Sequence, residues 1–234
     1  MEFRGVKFDD IHTFKKWGLI LTTTEIGFPE IKEEKVDIPG ADGELNFSKS
    51  LAGDIKYKNR VITLTFVTTE RYRLWKSLIS DISNYLHGQQ FEKIILDEDP
   101  NFFYKGTAKV NQFKSDKSVG TIVIECDVEP YKYDLYASNE DWLWDPFSFI
   151  DGVINETKDL EVNGELEVKI YGRRKKVIPK FTCENDLQLI FNEQTYNLPS
   201  GTSYSPDIEV CDGENILKFV GTGKVTIEYR GGSL

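Results

Sequence analysis

The segment Arg60-Val-Ile-Thr-Leu-Thr-Phe-Val67 alternates apolar and polar side chains, with Ile62, Leu64 and Phe66 on one side and Thr63 and Thr65 on the other. A pleated strand sends successive side chains to opposite faces, so this period of two reads as a half-buried strand. Gly120 to Val128 repeats the pattern, setting Ile122, Ile124, Cys126 and Val128 against Thr121, Glu125 and Asp127. Between these strands the period changes. From Glu70 to Leu86 the apolar residues fall at Trp75, Leu78, Ile79, Ile82 and Leu86. That spacing makes one stripe on a helix and predicts a single amphipathic helix packed on a sheet. Thr68 or Thr69 can cap its start, Glu70 suits the positive end of its dipole, and Gly88 fits a left-handed residue after its last turn.

Working outward, Trp17 to Thr24 reads as a buried strand. Val36 to Leu45, VDIPGADGEL, sets Pro-Gly and Asp-Gly turn signals between short apolar pieces and reads as a hairpin or extended arm. Phe91 to Leu96 and Thr107 to Phe113 are further strands on either side of a turn at Asp97-Glu-Asp-Pro100. The texture changes after Tyr131-Lys-Tyr133, and a boundary is placed so that residues 1–136 and 137–234 form two domains. The second stretch is a series of short strands punctuated by Gly, Asn, Asp and Pro: Leu166 to Ile170, Val177 to Cys183, Leu187 to Phe191, Ile208 to Cys211, Ile216 to Val220 and Val225 to Tyr229. Such spacing is the signature of an antiparallel β-sandwich. The fold class is therefore mainly β.

Composition narrows the function. A chain of 234 residues with 39% hydrophobic residues can bury about 70% of its unfolded surface without a metal or disulfide. Its net charge of −10 leaves no surplus cations with which to wrap duplex DNA. Residues 1–136 carry 19 basic and 22 acidic groups, a net of −3, and residues 137–234 carry 10 and 17, a net of −7, which fits two units. Cys126, Cys183 and Cys211 are widely spaced and form no C-x-x-C pair, so neither a zinc site nor a redox motif is indicated and reduced thiols are expected. The N-terminus, MEFRGVKFDD, lacks the pattern of a signal peptide, and no apolar run is long enough to span a membrane.

No nucleophile elbow, metalloprotease helix, phosphate-binding loop or dinucleotide fingerprint occurs, so no catalytic, cofactor-binding or metal-ligating residue is assigned. Asp97, Glu98 and Asp99 read as a solvated turn before Pro100 rather than an acid–base pair, because catalytic carboxylates usually face one another from separate strands. His87 reads as a cation favoured by a helix C-terminus, and His12 has no recognisable partner. Arg173-Arg-Lys-Lys176 reads as an exposed hairpin loop. Asn155-Glu-Thr157 is a glycosylation sequon without a secretory signal. Trp142 and Trp144 read as packed side chains at the domain junction, with sugar stacking as the alternative.

An ordered series of short pieces resembles the N-terminal domain of the distal tail proteins of long-tailed (siphovirus-type) bacteriophages. It comprises Trp17-Gly-Leu19, Val36-Asp-Ile-Pro-Gly40 with Asp42-Gly43, Leu51-Ala-Gly-Asp-Ile-Lys-Tyr57 with Asn59-Arg60, and Ile62 to Phe66. Trp75, Leu86-His-Gly88, Leu96-Asp-Glu-Asp-Pro100, Tyr104, and Asp127 with Pro130-Tyr-Lys-Tyr133 complete it, and the ending Tyr229-Arg-Gly-Gly-Ser-Leu234 is also similar. The resemblance implies a ring-forming β-sandwich with one α-helix and an extended hairpin, followed by a galectin-like, carbohydrate-module-like β-sandwich. It implies a non-enzymatic virion protein, assembled in the bacterial cytoplasm into a homohexameric ring. The partners it implies are the tail tube, the tail-tip or baseplate proteins and the receptor-binding proteins, with no cofactor, no sequence-specific nucleic acid and no membrane insertion. The arm is then the candidate ring interface, through Val36, Ile38, Pro39, Gly40, Asp42, Gly43 and Leu45. The alternative is a soluble carbohydrate-binding protein acting through residues 137–234.

Overall fold

A computed structural model describes residues 4–37, 39–40, 42–46, 54–116, 119–140 and 157–234. The chain separates into two compact units, one from Met1–Asp99 and Phe103–Lys132 with Leu234, the other from Pro100–Phe102 and Tyr133–Ser233.

The first unit begins with β1 (Val6–Phe8) and β2 (Ile11–His12), then a one-turn helix α1 (Thr13–Trp17) and β3 (Leu19–Ile26). A hairpin follows, β4 (Lys35–Asp37) and β5 (Glu44–Asn46). Next come β6 (Arg60–Thr68), a 3-10 turn at Tyr72–Leu74, α2 (Trp75–Leu86), β7 (Gln90–Leu96), β8 (Phe102–Ser115) and β9 (Gly120–Val128). Seven strands run in the order β2-β1-β7-β8-β9-β6-β3. Each neighbouring pair is antiparallel. Register shifts between Leu21 and Thr23, Phe91 and Ile94, and Val110 and Gln112 bend the sheet. The bend brings the last strand back to the first, for the Leu21 N–H donates to the Arg4 carbonyl, just ahead of β1, at 3.0 Å. The inward residues of β6 and β9 are those of the alternating pattern, and Ile62, Leu64, Phe66, Ile122, Ile124, Cys126 and Val128 are fully buried. Ile82 and Leu86 of α2 join the same core, with Leu78 and Ile79 partly buried beside them.

Two local features differ from the sequence expectation. Trp17 ends α1 instead of opening a strand, because Gly18 adopts φ +62° as its left-handed cap and only then does β3 start. The long helix begins at Trp75 rather than Glu70. Its approach is a 3-10 turn, in which the Thr68 hydroxyl accepts from the Glu70 N–H and the Trp75 indole donates to the Glu70 carbonyl at 2.8 Å.

The second unit holds β10 (Lys132–Asp134), which pairs with β17 (Gly232–Ser233), and a six-stranded antiparallel sheet. The sheet comprises β11 (Leu160–Gly172), β12 (Lys180–Cys183), β13 (Leu187–Phe191), β14 (Gln194–Leu198), β15 (Gly201–Tyr204) and β16 (Gly213–Glu228). The sequence reads two strands in Ile216 to Tyr229; the structure has one, β16, running through Gly221-Thr-Gly223. β11 covers one edge of β16 from Gly213 to Val225, with Gly164 opposite Gly221. The other edge is divided, Lys218 to Val220 pairing with β13 and Val225 to Glu228 with β12. Gly164 and Gly221 have φ +85° and +138°, so the sheet bends where side-chain-bearing residues would be strained. The two limbs meet over one core, in which Phe181 and Phe219 stand edge to face at 6.1 Å.

Three further differences are local. β12 is shorter than read, since Pro179 cannot donate to a ladder and Val177 makes only an isolated bridge to Val210. Ile208 to Cys211 likewise contributes a buried Ile208 and Val210 but no continuous strand. β14 and β15 have no counterpart among the expected strands, because their polar residues mask the period. Asn192 and Glu193, both at positive φ, form the tight turn from β13 into β14.

Candidate assembly surfaces

The arm read from VDIPGADGEL is a two-stranded hairpin whose strands, among the described residues, pair only with each other, Lys35 with Asn46, Val36 with Leu45 and Asp37 with Glu44. Pro39, Gly40, Asp42 and Gly43 lie in the connection, and Gly40 and Gly43 take φ +85° and +82°. A Cβ at either glycine would meet nothing within 4 Å, so conformation rather than crowding selects glycine there. Ile38 lies outside the described residues, as do Trp142 and Trp144. The root of the arm is fastened by an Ile31–Tyr57 bridge, by Lys32 N–H to the Lys56 carbonyl and by Lys58 N–H to the Glu30 carbonyl. An isolated two-stranded hairpin is marginally stable in water and gains from a covering partner.

Apolar exposure is concentrated beside the arm in sequence. Phe28 is 89% exposed and Val36 52%, with Ile26, Ile31 and Val61 also exposed. Phe28 is the extreme case, because an aromatic ring usually buries 150–250 Å², roughly, in a core or interface. Ile26 ends β3, the last strand in the order.

The carboxylate cluster has individual structural tasks. Asp97 accepts from the Gly5 N–H at 2.7 Å and lies 3.0 Å from His12 Nε2. Glu98 pairs with Arg4 at 3.1 Å and Asp99 with Lys132 at 2.7 Å. Asp97 is thus the partner of His12 that sequence could not supply, across 85 positions. His12 Nδ1 accepts from the Lys15 N–H at the start of α1, so Nε2 carries the proton toward Asp97. The dyad caps a helix. His87 also departs from expectation: its Nε2 accepts from the Val110 N–H at 3.0 Å, which requires the neutral ring rather than a cation at the helix end. Among the described residues no group of three or more His, Cys, Asp or Glu is arranged to hold a metal ion.

Arg173 to Lys176 is not a loose loop. Arg173 grips Asp134 with two nitrogens, at 2.8 and 2.9 Å, and lies 5.1 Å over the Phe102 ring. Lys175 donates to the Tyr133 hydroxyl at 2.7 Å. Thr157, the third residue of the sequon, is buried and donates to the Ser138 carbonyl at 2.7 Å, while the Ser138 hydroxyl donates to the Ile227 carbonyl at 2.8 Å.

One buried cation, Arg60, belongs to the sequence pattern but is assigned no role there. Arg60 is 4% exposed, its Nε and Nη2 have no hydrogen-bond partner among the described residues, and its guanidinium stands 5.0 Å over the Tyr104 ring. Burial lowers its pKa and raises that of Tyr104. The signal is present in the sequence, since Arg60 is in phase with Ile62, Leu64 and Phe66. Cys126 lies in the same core, and burial pushes its thiol up to about 12. Among the described residues no helix is long and apolar enough to cross a membrane.

No family model and no curated protein matches the sequence. Solved structures do match the fold. The Dit protein of phage SPP1, described as a paradigm of the hub adsorption apparatus in phages that infect Gram-positive bacteria, aligns over 98% of this chain and 99% of its own, with a TM-score of 0.65 and 11% identity. This chain has the Dit fold. Chains of the phage p2 baseplate in its activated conformation, with strontium and with calcium, also align, at 10% identity and over 99% and 100% of this chain and 97% and 99% of their own. Their TM-scores of 0.38 and 0.40 are too low to refine the comparison. The Dit-type architecture is thus mainly β, with α2 packed against the first sheet and a second β unit after it.

Proposed function

We propose that this chain is a non-enzymatic structural protein of a bacteriophage tail, a distal tail hub whose copies close into a ring between the tail tube and the tip or baseplate. The observation that carries the reading is the likeness to the SPP1 hub protein over nearly the full length of both chains, covering both units. The free-standing hairpin, with Val36 exposed at its base and Phe28 exposed nearby, supports it, since both gain from a covering neighbour. A ring of about six copies needs a head-to-tail interface that closes by rotation, and the arm, Val36 to Leu45, is the part that reaches the neighbour. On this reading the protein resides in the virion and meets tail-tube, tail-tip and receptor-binding proteins.

Light scattering of the purified full-length chain over a range of concentrations tests it. The expected mass is that of about six chains, or of about twelve if two rings stack. A chain that stays monomeric throughout, and also fails to join purified tail tubes, overturns the ring.

A further inference from the structure

The approach to α2 carries a second exposed apolar surface. Tyr72 and Leu74, in the 3-10 turn, are 62% and 50% exposed, and Val119, just before β9, is 44% exposed. Trp75 gathers this corner together. Its ring stands 5.0 Å from Tyr72 and 6.3 Å from Phe113, and a Cβ on Gly120, the neighbour of Val119, would lie 3.1 Å from it. Around the corner sit the exposed cations Arg71, Arg73 and Lys76, none of which has an ion pair or a side-chain hydrogen bond among the described residues. Other lysines on this unit do find carboxylates, Lys58 with Glu30, Lys105 with Glu92 and Lys109 with Glu125. In a chain of net charge −10, three cations in Arg71–Lys76 without a single acid make an island of opposite sign.

The arm is its complement. Glu33, Glu34, Asp37, Asp42 and Glu44 set five carboxylates against one lysine, Lys35, in twelve residues. Asp37 and Asp42 are exposed and have no partner among the described residues. Val36, between the carboxylates, is the apolar counterpart of Tyr72 and Leu74. We infer that the acidic hairpin arm of one copy docks on the basic Arg71–Lys76 patch of a second copy, an assignment that rests on the ring reading. The arm and the patch are different surfaces of one chain, so the contact is head-to-tail and can be repeated from copy to copy until it closes. Charge sets register and partner choice, and the apolar centre excludes water from the contact. Exposed charges are screened within about 10 Å at 0.1 M salt, so assembly weakens as salt rises.

Two full-length double variants test the contact, Arg71→Glu with Arg73→Glu, and Asp37→Lys with Asp42→Lys. All four positions are exposed, and circular dichroism with thermal melting checks that each variant folds as wild type does. Each variant alone should assemble at least about tenfold more weakly by light scattering, as for loss of paired interface charges. An equimolar mixture should assemble again, because each chain then offers the charge the other needs, and so should a single chain with all four substitutions. A wild type that assembles, with either double variant assembling equally well or the mixture staying dissociated, overturns this contact and leaves the ring standing. A wild type that never assembles, alone or on tail tubes, overturns the ring and the contact with it. If Arg71→Glu with Arg73→Glu leaves the mass unchanged but abolishes retention of the chain on duplex DNA, the patch serves nucleic acid and the inference falls.

Discussion

The first unit and the second each curl an antiparallel sheet around an apolar core, but they bend by different means and leave different surfaces. In the first, extra residues at three register shifts bend the ladder, and α2 packs Ile82 and Leu86 into the same core. In the second, glycines at positive φ bend β11 and β16 together, and the limbs pack on each other. The first unit also exposes Ile26, Phe28, Ile31, Val36 and Val61 around the arm, and Tyr72, Leu74 and Val119 at the approach to α2. The second exposes Tyr171, Ile178, Tyr204 and Ile216, and of these Tyr171 is held by its hydroxyl to Glu214. Among the described residues, the first unit therefore exposes more large apolar side chains than the second.

Core substitutions have the largest effect and separate the two units. Phe66→Ala and Phe219→Ala each remove a fully buried ring and should cost about 3–5 kcal/mol. If the first unit alone assembles, Phe66→Ala lowers both the melting temperature and the particle mass, whereas Phe219→Ala lowers only the melting of the second unit. Loss of assembly in both variants would erase the distinction. Phe28→Ser tests the exposed surface: it should weaken assembly by about 2 kcal/mol, the value of one buried aromatic side chain, with no loss of monomer stability. Sedimentation equilibrium reads the first effect and urea unfolding the second.

Arg60→Met sharpens the account of the first core. The arginine buries two donors without partners among the described residues, and a well-packed apolar side chain of similar length should raise stability by about 1 kcal/mol. A fall of that size would mean that the Tyr104 face compensates the buried charge in full. The smallest effect is on pH dependence. The folded-state value of the Cys126 thiol, pushed up to about 12, lies above its unfolded value, so its contribution is complete at neutral pH and fades as pH rises. Unfolding free energy should therefore drop more steeply above about pH 9 in wild type than in Cys126→Ala. Parallel curves for the two would remove Cys126 as the cause.

Much of this architecture is legible in the chain itself. The period of two in Ile62 to Phe66 and in Ile122 to Val128, and the helical stripe from Trp75 to Leu86, mark out most of the first core by local pattern alone. The Pro-Gly and Asp-Gly signals locate the hairpin. These features are local, since a side chain's direction depends on backbone geometry within a turn or a pleat. What the tertiary structure alone decided depends on residues far apart. His12 finds Asp97 across 85 positions and Arg173 finds Asp134 across 39, and no short-range pattern announces either pair. The apparent break in Ile216 to Tyr229 became one strand because β11 lies along it as far as Val225 and glycines absorb the bend. The arm can be read as a hairpin from its turns, but its status as a two-stranded sheet paired, among the described residues, with nothing else in its own unit is a property of the folded chain. Local chemistry specifies which elements form. Which backbone edges and charges remain unpaired is decided only when distant elements have claimed their partners.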